Sequence, residues 1–146
     1  SSSMAYGEFN GGIPDENVMC NPNTLYGSYK HQGERMCQIW KREHGLEYVI
    51  MRPSALYGTR DMVTRVISQM TKSALTRNQI TVQGPENRLD FSNVTDVADA
   101  FARAATIDSA ANEIFNCTRG YGRTILEAAE LVRDTLGICF NKWDKT

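Results

Sequence analysis

The sequence has no long hydrophobic run. Among its 146 residues, no apolar stretch approaches the roughly 18 residues that a membrane-spanning helix needs. The opening Ser1–Ser3 run has neither the basic start nor the apolar centre of a signal peptide. These absences predict that the chain has no membrane partner and is cytoplasmic.

The sequence also has no excess of charge of one sign. It carries 16 Lys and Arg against 17 Asp and Glu, a formal net charge of -1. This balance gives no electrostatic reason to expect nucleic acid as a partner. Hydrophobic residues make up 41% of the chain and charged residues 23%, which are the proportions of an ordinary globular protein.

Cysteine and histidine spacings typical of metal sites are absent as well. No C-x-x-C occurs, and His31 and His44 have no metal-ligand spacing with each other or with a cysteine. We therefore predict no metal, and we expect the cysteines to be small buried apolar groups in a reducing compartment. The four cysteines are Cys20, Cys37, Cys117 and Cys139.

Among the residues that are present, one pair is the most informative. Tyr26 and Lys30 are four residues apart, and on a helix this spacing places both polar ends on the same face. A cation within a few ångström favours the phenolate form of a phenol, which can then act as a general acid or base. Tyr29 would face elsewhere. The same spacing is common in helices without catalytic function, so the pair alone leaves both interpretations open.

Hydrophobic periodicity and turn residues divide the chain into alternating helices and strands. Helices are expected over residues 24–44, 62–75, 95–107 and 124–137, and strands over residues 47–51, 80–83 and 113–117. Gly45 and Gly137 would end the first and last helices, Thr95 would cap the third, and Thr124–Glu127 would form a capping box. Residues 7–22 are expected to form a surface loop. This alternation favours an α/β fold with parallel strands.

Several short motifs follow one another in the order found in a known family. They are Ser1-Ser2-Ser3-Met4-Ala5-Tyr6-Gly7; Asn21-Pro22 followed by Tyr26-x-x-x-Lys30 and Glu34; Met51-Arg52-Pro53 with Leu56-Tyr57-Gly58; Arg88-Leu89-Asp90-Phe91 through Val94-Thr95-Asp96-Val97-Ala98; and Phe115-Asn116 with Gly120 and Thr124 to Glu130. Together they cover nearly the whole chain. Their order resembles the extended short-chain dehydrogenase/reductase family, which includes the NAD-dependent nucleotide-sugar epimerases and dehydratases.

The resemblance implies an α/β fold that forms the back part of a Rossmann-like parallel sheet with helices, plus a small substrate-binding lobe. It assigns residues 1–58 to the back half of the dinucleotide-binding domain with the catalytic helix. Residues 59–92 would lie mainly in the substrate lobe, and residues 93–118 would return to the sheet domain. Residues 119–146 would form the C-terminal helix and strand of the lobe.

The resemblance also implies catalytic residues. Tyr26 would exchange a proton with the substrate, and Lys30 would support it. The Ser2 hydroxyl would hold the reacting oxygen in line. Ser3 is an alternative to Ser2, because three serines are adjacent and the segment could also fray at the chain end.

The cofactor implied is NAD, with NADP left open. Lys30 would hydrogen-bond the nicotinamide ribose, and Tyr26 would border the nicotinamide. Pro53 and Tyr57 would line the same pocket, largely through backbone shape.

The substrate partner implied is a nucleotide-diphosphate sugar. Ser3, Met4 and Ser54 would contact it, although many relatives have Asn near the position of Ser54. Arg88 could bind the diphosphate with two parallel hydrogen bonds, and a surface ion pair is the alternative for this residue. Arg52 is expected to pack or to form a structural ion pair.

Two further features of the family narrow the implied activity. Its dehydratases carry Asp-Glu directly after the catalytic Thr, and Ser3-Met4 occupy those places here. The resemblance therefore favours an epimerase or a keto-sugar reductase that acts by Tyr-assisted hydride transfer. The family also pairs its catalytic helix with that of a second subunit, which implies a homodimer.

The Gly-rich turn of the family is absent. In the family this G-x-G-x-x-G segment brings the dinucleotide pyrophosphate to a helix N-terminus, and nothing equivalent occurs in the chain. We therefore expect a truncated chain, the C-terminal portion of a longer enzyme. Two alternatives stay open: a catalytically silent fragment or pseudoenzyme that serves as an interaction module, and an oxidoreductase of a small carbonyl substrate.

Overall fold

The computed structural model of the chain describes residues 1–9, 12, 14–63, 65–138 and 143–145. The chain forms two units. The first unit comprises Ser1–Ser54 and Thr95–Gly120, and the second comprises Ala55–Val94 and Tyr121–Thr146. The assignment of functional domains to segments of the sequence stays a prediction.

Helices and strands alternate along the chain. Among the described residues the α-helices are α1 (Leu25–His44), α2 (Val66–Arg77), α3 (Val94–Ala104) and α4 (Ile125–Leu136). The strands are β1 (Ile50–Pro53), β2 (Ala55–Tyr57), β3 (Ile80–Val82), β4 (Arg88–Leu89), β5 (Phe91–Asn93), β6 (Ile114–Cys117), β7 (Arg123–Thr124) and β8 (Trp143–Lys145). Short 3-10 turns cover Ser3–Ala5 and Asp108–Ala110. Within the described ranges, no helix combines the length and the apolar character needed to cross a membrane.

Helix α1 begins and ends where local sequence signals place it. The Thr24 hydroxyl accepts a hydrogen bond from the Gly27 backbone N–H at 3.1 Å, which caps the first turn. Gly45 adopts a left-handed conformation with φ of +72° and donates its N–H to the Lys41 carbonyl, which closes the last turn. The helix predicted over residues 24–44 is confirmed.

Strands β1 and β6 form a parallel pair in the first unit. Their register runs from Ile50 opposite Ile114 to Pro53 opposite Cys117. Both strands therefore end at the same edge of the sheet, and α/β proteins bind ligands beyond this carboxyl edge. Met51, in the middle of β1, is buried.

A buried ion pair joins α1 to β1. Arg52 donates from Nε to Glu34 Oε1 at 2.8 Å and from Nη2 to Glu34 Oε2 at 2.7 Å, and the two side chains are only 3% and 2% exposed. The Ser1 hydroxyl also donates to Glu34 Oε1. Burial alone would raise the pKa of Glu34, but the hydrogen bonds from Arg52 and Ser1 outweigh it and hold that pKa below its usual value.

Further polar contacts continue from this ion pair. The Arg52 guanidinium lies 4.5 Å from the centroid of the Tyr6 ring, and the Tyr6 hydroxyl donates to Asn116 Oδ1 at 2.8 Å. The Asn116 backbone N–H in turn donates to Glu16 Oε1 at 2.7 Å, and its side-chain amide donates to the Pro14 carbonyl at 2.9 Å. These contacts attach the segment that contains residues 14–16 to β6.

The second unit contains two parallel strand pairs and one antiparallel pair. Strands β2 and β5 and strands β3 and β8 run parallel, whereas β4 and β7 run antiparallel. Helices α2 and α4 pack with β3 around an apolar cluster. The buried members of this cluster are Met70, Ala74, Ile80, Val82, Ile125 and Ala129.

Helix α4 has the predicted capping box. The Thr124 hydroxyl accepts from the Glu127 backbone N–H at 3.0 Å, and Glu127 Oε2 accepts from the Thr124 backbone N–H at 2.9 Å. Gly137 ends the helix in a left-handed conformation with φ of +63°. The capping box and the stop at Gly137 are both confirmed.

Two predicted helix starts are wrong. The second helix begins at Val66 and not at residue 62, because Val63 N–H donates to Asp61 Oδ1 and Arg65 N–H donates to the Val63 carbonyl. These local bonds form turns in place of the first helical turn. Thr95 is not the cap of the third helix, since α3 begins at Val94 directly after β5 and ends at Ala104.

Several strand predictions also differ from the structure. The strand expected over residues 47–51 runs from Ile50 to Pro53. Strands β2, β4, β5 and β7 were not predicted from the sequence, and β8 was expected only as the strand that would follow the last helix within residues 119–146. Each is only two or three residues long, which is too short for an alternating pattern of four or more residues to be recognised.

The cysteines occupy different environments. Cys117 is buried, Cys20 is half-buried and Cys37 is exposed, so the expectation that they are all buried is wrong for Cys37. That residue lies on a solvent-facing part of α1. Burial raises the pKa of the Cys20 and Cys117 thiols, which keeps them neutral at physiological pH. Cys139 lies outside the described residues.

We expect Glu34→Gln to destabilise the chain by about 3–5 kcal/mol at neutral pH, because it leaves the buried Arg52 cation without its partner. The pKa of Glu34 is lowered in the folded chain, so its stabilisation is fully present above its ordinary pKa of 4.5 and is lost as the pH falls through the folded-state pKa. The difference in unfolding free energy between variant and parent, measured in urea, should therefore shrink below about pH 4.

The matched control for this experiment is Glu47→Gln. Glu47 is an exposed carboxylate whose Oε1 lies 3.6 Å from Lys41 Nζ, and its loss should cost less than about 1 kcal/mol. Equal effects of the two substitutions at pH 7 would contradict the importance of the buried pair.

We expect Gly7→Ala to lower the midpoint of thermal unfolding. Gly7 has φ of +83°, and a Cβ there would overlap the backbone carbonyl of Asn21, so the cost should exceed about 1 kcal/mol. Gly33→Ala provides the opposite case, because Gly33 lies inside α1 with no atom within 4 Å of an added Cβ. It should stabilise the chain by about 0.5–1 kcal/mol. A Gly7→Ala variant as stable as the parent would show that the loop can move away at no cost.

Candidate active site

Tyr26 and Lys30 lie one helical turn apart on the same face of α1. Lys30 Nζ is 5.3 Å from the centroid of the Tyr26 ring, so the ammonium and the phenol are close neighbours. The Tyr26 side chain is 55% exposed, which leaves its hydroxyl accessible to a ligand. An ammonium at this position can donate hydrogen bonds to a bound molecule.

The serine segment forms a short turn with a defined structure. Ser2 is buried, and its Oγ accepts a hydrogen bond from the Met4 backbone N–H at 3.2 Å, capping the 3-10 turn Ser3–Ala5. This contact uses the Ser2 oxygen as an acceptor, so the hydroxyl proton is free to be donated elsewhere. Ser3 is half-buried and Met4 is exposed. The alternative of a frayed serine segment is therefore wrong for this structure.

Gly27 allows this turn to pack against the start of α1. A Cβ at Gly27 would overlap the backbone carbonyl of Met4, so the two backbones approach more closely than any larger residue would permit. Because Gly27 follows Tyr26 directly, this contact brings the backbone of Met4 next to the Tyr26–Lys30 pair.

Pro53 and Ser54 stand at the carboxyl end of β1 in the first unit. Both are half-buried. They directly follow Arg52, whose guanidinium holds Glu34 on the same helix as Tyr26 and Lys30. The ion pair therefore fixes the strand that carries Pro53 against the helix that carries the phenol and the ammonium.

Tyr57 and Arg88, the two remaining predicted residues, belong to the second unit. Tyr57 is half-buried at the end of β2, opposite Asn93 of β5. Arg88 is exposed on β4, and its Nη1 donates to the Gly122 carbonyl at 3.0 Å. Within the described ranges Arg88 has no ion pair, so the alternative of a surface salt bridge is not supported there.

Glu34 is the important residue that the sequence reasoning left without a role. It was noted only as part of the family pattern, and Arg52 was expected to pair structurally without a named partner. The helical spacing offered a signal, because Glu34 lies four residues after Lys30 and eight after Tyr26, on the same face of α1.

Three potential metal ligands lie close together in the first unit. One atom each from Cys20, His31 and Glu34 falls within 4.8 Å of the others, a proximity that the sequence spacing did not reveal. Both oxygens of Glu34 are bound by Arg52, and a guanidinium at this position repels a metal cation. The absence of a metal stays a prediction.

The sequence matches known epimerases and dehydratases over most of its length. A putative UDP-glucose 4-epimerase from Methanocaldococcus jannaschii is 33% identical over 141 residues, which cover 94% of this chain and 45% of that protein. A dTDP-glucose 4,6-dehydratase from Streptomyces niveus is 29% identical over 145 residues, which cover 99% of this chain and 42% of that protein. The chain thus spans less than half the length of these curated relatives.

Solved structures show the same similarity in three dimensions. The UDP-glucose 4-epimerase of Thermotoga maritima, crystallised with UDP-glucose, superimposes with a TM-score of 0.90 at 27% identity, covering 100% of this chain and 48% of that one. The dTDP-glucose 4,6-dehydratase of Bacillus anthracis, crystallised with NAD, superimposes with a TM-score of 0.90 at 22% identity. The match covers 100% of this chain and 47% of that one. The second similarity concerns the fold alone.

The family resemblance and the α/β fold class expected from the sequence are both confirmed. Parallel strands alternate with helices along the chain, and the fold matches structures of nucleotide-sugar enzymes. The sequence pattern of the NAD dependent epimerase/dehydratase family matches residues 1–118. The chain belongs to the NAD dependent epimerase/dehydratase family.

Proposed function

We propose that the chain is the C-terminal portion of an NAD-dependent nucleotide-sugar epimerase, or of a keto-sugar reductase, with Tyr26 as its general acid and base. The observation that carries this proposal is the approach of Lys30 Nζ to within 5.3 Å of the Tyr26 ring centroid. Family membership over residues 1–118 supports it. The half-length match to the relatives supports the view that the complete enzyme is longer.

The residues of the first unit fit the nicotinamide end of NAD. Lys30 has three N–H donors that suit the hydroxyls of a ribose, and Tyr26 is exposed beside it. Pro53 is proposed to line the nicotinamide pocket, as the family pattern implies. When bound, NAD would supply the acceptor for a hydride, which is chemistry that no side chain can provide.

The proton chemistry is assigned to the side chains of this chain. Tyr26 takes the proton of a sugar hydroxyl, and the positive charge of Lys30 lies beside its ring. The Ser2 hydroxyl donates to the same sugar oxygen and holds it in line with the phenol. When the hydride would return to the sugar carbon, Tyr26 would give the proton back to the oxygen, and a hydroxyl would form again.

Met4 favours an epimerase or a reductase over a dehydratase. Loss of water needs a proton donor and a proton acceptor near the sugar, and the family's dehydratases supply them as Asp-Glu. Ser3 and Met4 replace that pair here, and a thioether cannot transfer a proton. The proposed substrate is a nucleotide-diphosphate sugar, contacted by Ser54 and Arg88. The complex of the Thermotoga maritima relative with UDP-glucose supports this class.

The half-length match also supports a second candidate, a catalytically silent fragment that acts as an interaction module. The chain covers only 42–48% of the relatives and structures described above. Binding of NAD by the purified chain distinguishes the two, because a ligand that binds only the folded state raises its unfolding midpoint with concentration. A midpoint independent of NAD favours the silent fragment.

A homodimer formed through α1 is part of the proposal. Leu25, Tyr29, Met36 and Trp40 form a stripe at helical spacing, and each of them is 50–79% exposed. A stripe of this kind is typical of a helix that packs against another helix.

The cytoplasm is the proposed location, supported by the free thiols Cys20, Cys37 and Cys117.

We expect Tyr26→Phe to lower kcat by roughly 10²–10⁴-fold in the complete gene product assayed with UDP-sugars, because the general acid and base is removed. The KM should change little, since the ring and its packing are retained. Tyr121→Phe is the matched control, because Tyr121 is an exposed tyrosine of the second unit whose ring contacts Arg123. Full turnover by Tyr26→Phe would refute the assignment of the catalytic acid and base.

We expect Met36→Glu and Trp40→Glu to convert a dimer into a monomer, because each places a charge in the apolar stripe. Arg35→Glu introduces the same carboxylate on another face of α1 and should leave the dimer intact. Light scattering of the purified chain measures the mass. A monomeric parent chain, or a dimer that survives both stripe substitutions, would contradict the proposed interface.

A further inference from the structure

Lys30 and Glu34 are neighbours on α1 that do not pair. They lie four residues apart, the spacing at which opposite charges on a helix commonly form ion pairs. Helical side chains lean toward the N-terminus, so Glu34 leans toward Lys30 and Lys30 leans toward Tyr26. Within the described part of the chain the ion-pair partners of Glu34 are Arg52 and His31, and Lys30 is not among them.

Arg52 explains why Glu34 leaves Lys30 free. Its Nε and Nη2 each donate to a different oxygen of Glu34, at 2.8 and 2.7 Å. The planar guanidinium therefore occupies both oxygens at once. The Ser1 hydroxyl adds a further hydrogen bond to Oε1.

Three neighbouring side chains, those of His31, Cys20 and Tyr6, cannot replace Arg52 in this geometry. His31 Nδ1 lies 3.5 Å from Oε2 and can approach only one oxygen. Cys20 lies in the same cluster, but burial raises the pKa of its thiol and keeps it uncharged. Tyr6 packs under the Arg52 guanidinium at 4.5 Å and has a raised pKa owing to its burial.

We propose that Arg52 is a positioning residue that keeps the Lys30 ammonium beside the Tyr26 ring. By binding Glu34, it removes the one carboxylate on the same helical face that would draw the Lys30 ammonium away from the phenol. This inference rests on the proposed function of the Tyr26–Lys30 pair. It adds that the pair depends on an arginine of β1 that touches neither of its members in this structure.

The physical basis is the cost of an unpaired buried charge. Glu34 is 2% exposed, and a carboxylate at such a site must find a cation or take up a proton. If Arg52 is removed, the nearest ammonium on the same helical face is that of Lys30. Lys30 then turns from Tyr26 toward Glu34, and the phenol loses its neighbouring cation.

The test measures the accessibility of the Lys30 amine. The purified chain is treated briefly with acetic anhydride, and acetylation at Lys30 is followed by peptide mass spectrometry. Lys41 on the same helix is the internal reference, because its partner Glu47 belongs neither to the Arg52–Glu34 pair nor to the Tyr26–Lys30 pair. In Arg52→Met, we expect Lys30 to react roughly five-fold or more slowly relative to Lys41, as an amine held in an ion pair does.

The double variant Arg52→Met/Glu34→Gln separates positioning from simple damage. It lacks the carboxylate that captures Lys30, so we expect acetylation of Lys30 to return to the parent rate. A purely structural role of Arg52 predicts the opposite change in Arg52→Met, a faster acetylation of Lys30 through local unfolding. Glu34→Gln alone should leave Lys30 at the parent rate, because Glu34 does not hold Lys30 in the parent chain.

Faster acetylation of both Lys30 and Lys41 would show that Arg52→Met does not fold. In that case Arg52→Lys provides the test. An ammonium can satisfy only one Glu34 oxygen well, so Lys30 should be slowed by an intermediate factor while Lys41 is unchanged. An unchanged Lys30 rate in folded Arg52→Met and folded Arg52→Lys, as expected if Glu34 takes up a proton instead, overturns the proposal. So does a double variant without rescue. The measurement involves no NAD or sugar, so its failure is distinct from a failure of the Tyr26→Phe assay.

Discussion

The contact on which the first unit depends is the two-pronged hydrogen bonding of Arg52 to Glu34. It connects the middle of α1 to β1 in a site almost closed to water. Because the guanidinium is planar and rigid, it fixes both the distance and the rotation between helix and strand. Tyr26, Lys30 and Pro53 lie on these two elements, so this ion pair holds the helix with the phenol and the ammonium against the strand that ends at Pro53.

Helix α1 has two faces with different tasks. One face carries Tyr26, Lys30 and Glu34, with Glu34 buried and Tyr26 open to solvent. The other carries a stripe of large apolar side chains that includes Met36 and Trp40. A helix of 20 residues has room for both. One element can thus carry both the proposed proton-transferring groups and the proposed contact with a second subunit.

Local features of the fold could be predicted from the sequence, and distant contacts could not. Helix α1 follows from Thr24 and Gly45, and Tyr26 and Lys30 adjoin because helical spacing alone places them together. The pairing of Arg52 with Glu34 across 18 positions, and of Asn116 with Glu16 across 100, depends on how the strands assemble. No local pattern encodes that assembly, and the family resemblance supplied the order of the motifs but not these partners.

The hydrogen bond from the Asn116 backbone to the Glu16 carboxylate has a consequence beyond the site. Alternate residues of β6 bond to β1, so the Asn116 N–H points away from that partner. An exposed N–H of this kind is the position at which a strand from another molecule could add. The carboxylate already occupies this donor and brings a negative charge to the edge. Within the described residues, the Glu16 carboxylate therefore occupies the hydrogen-bonding position that an added strand would need at Asn116.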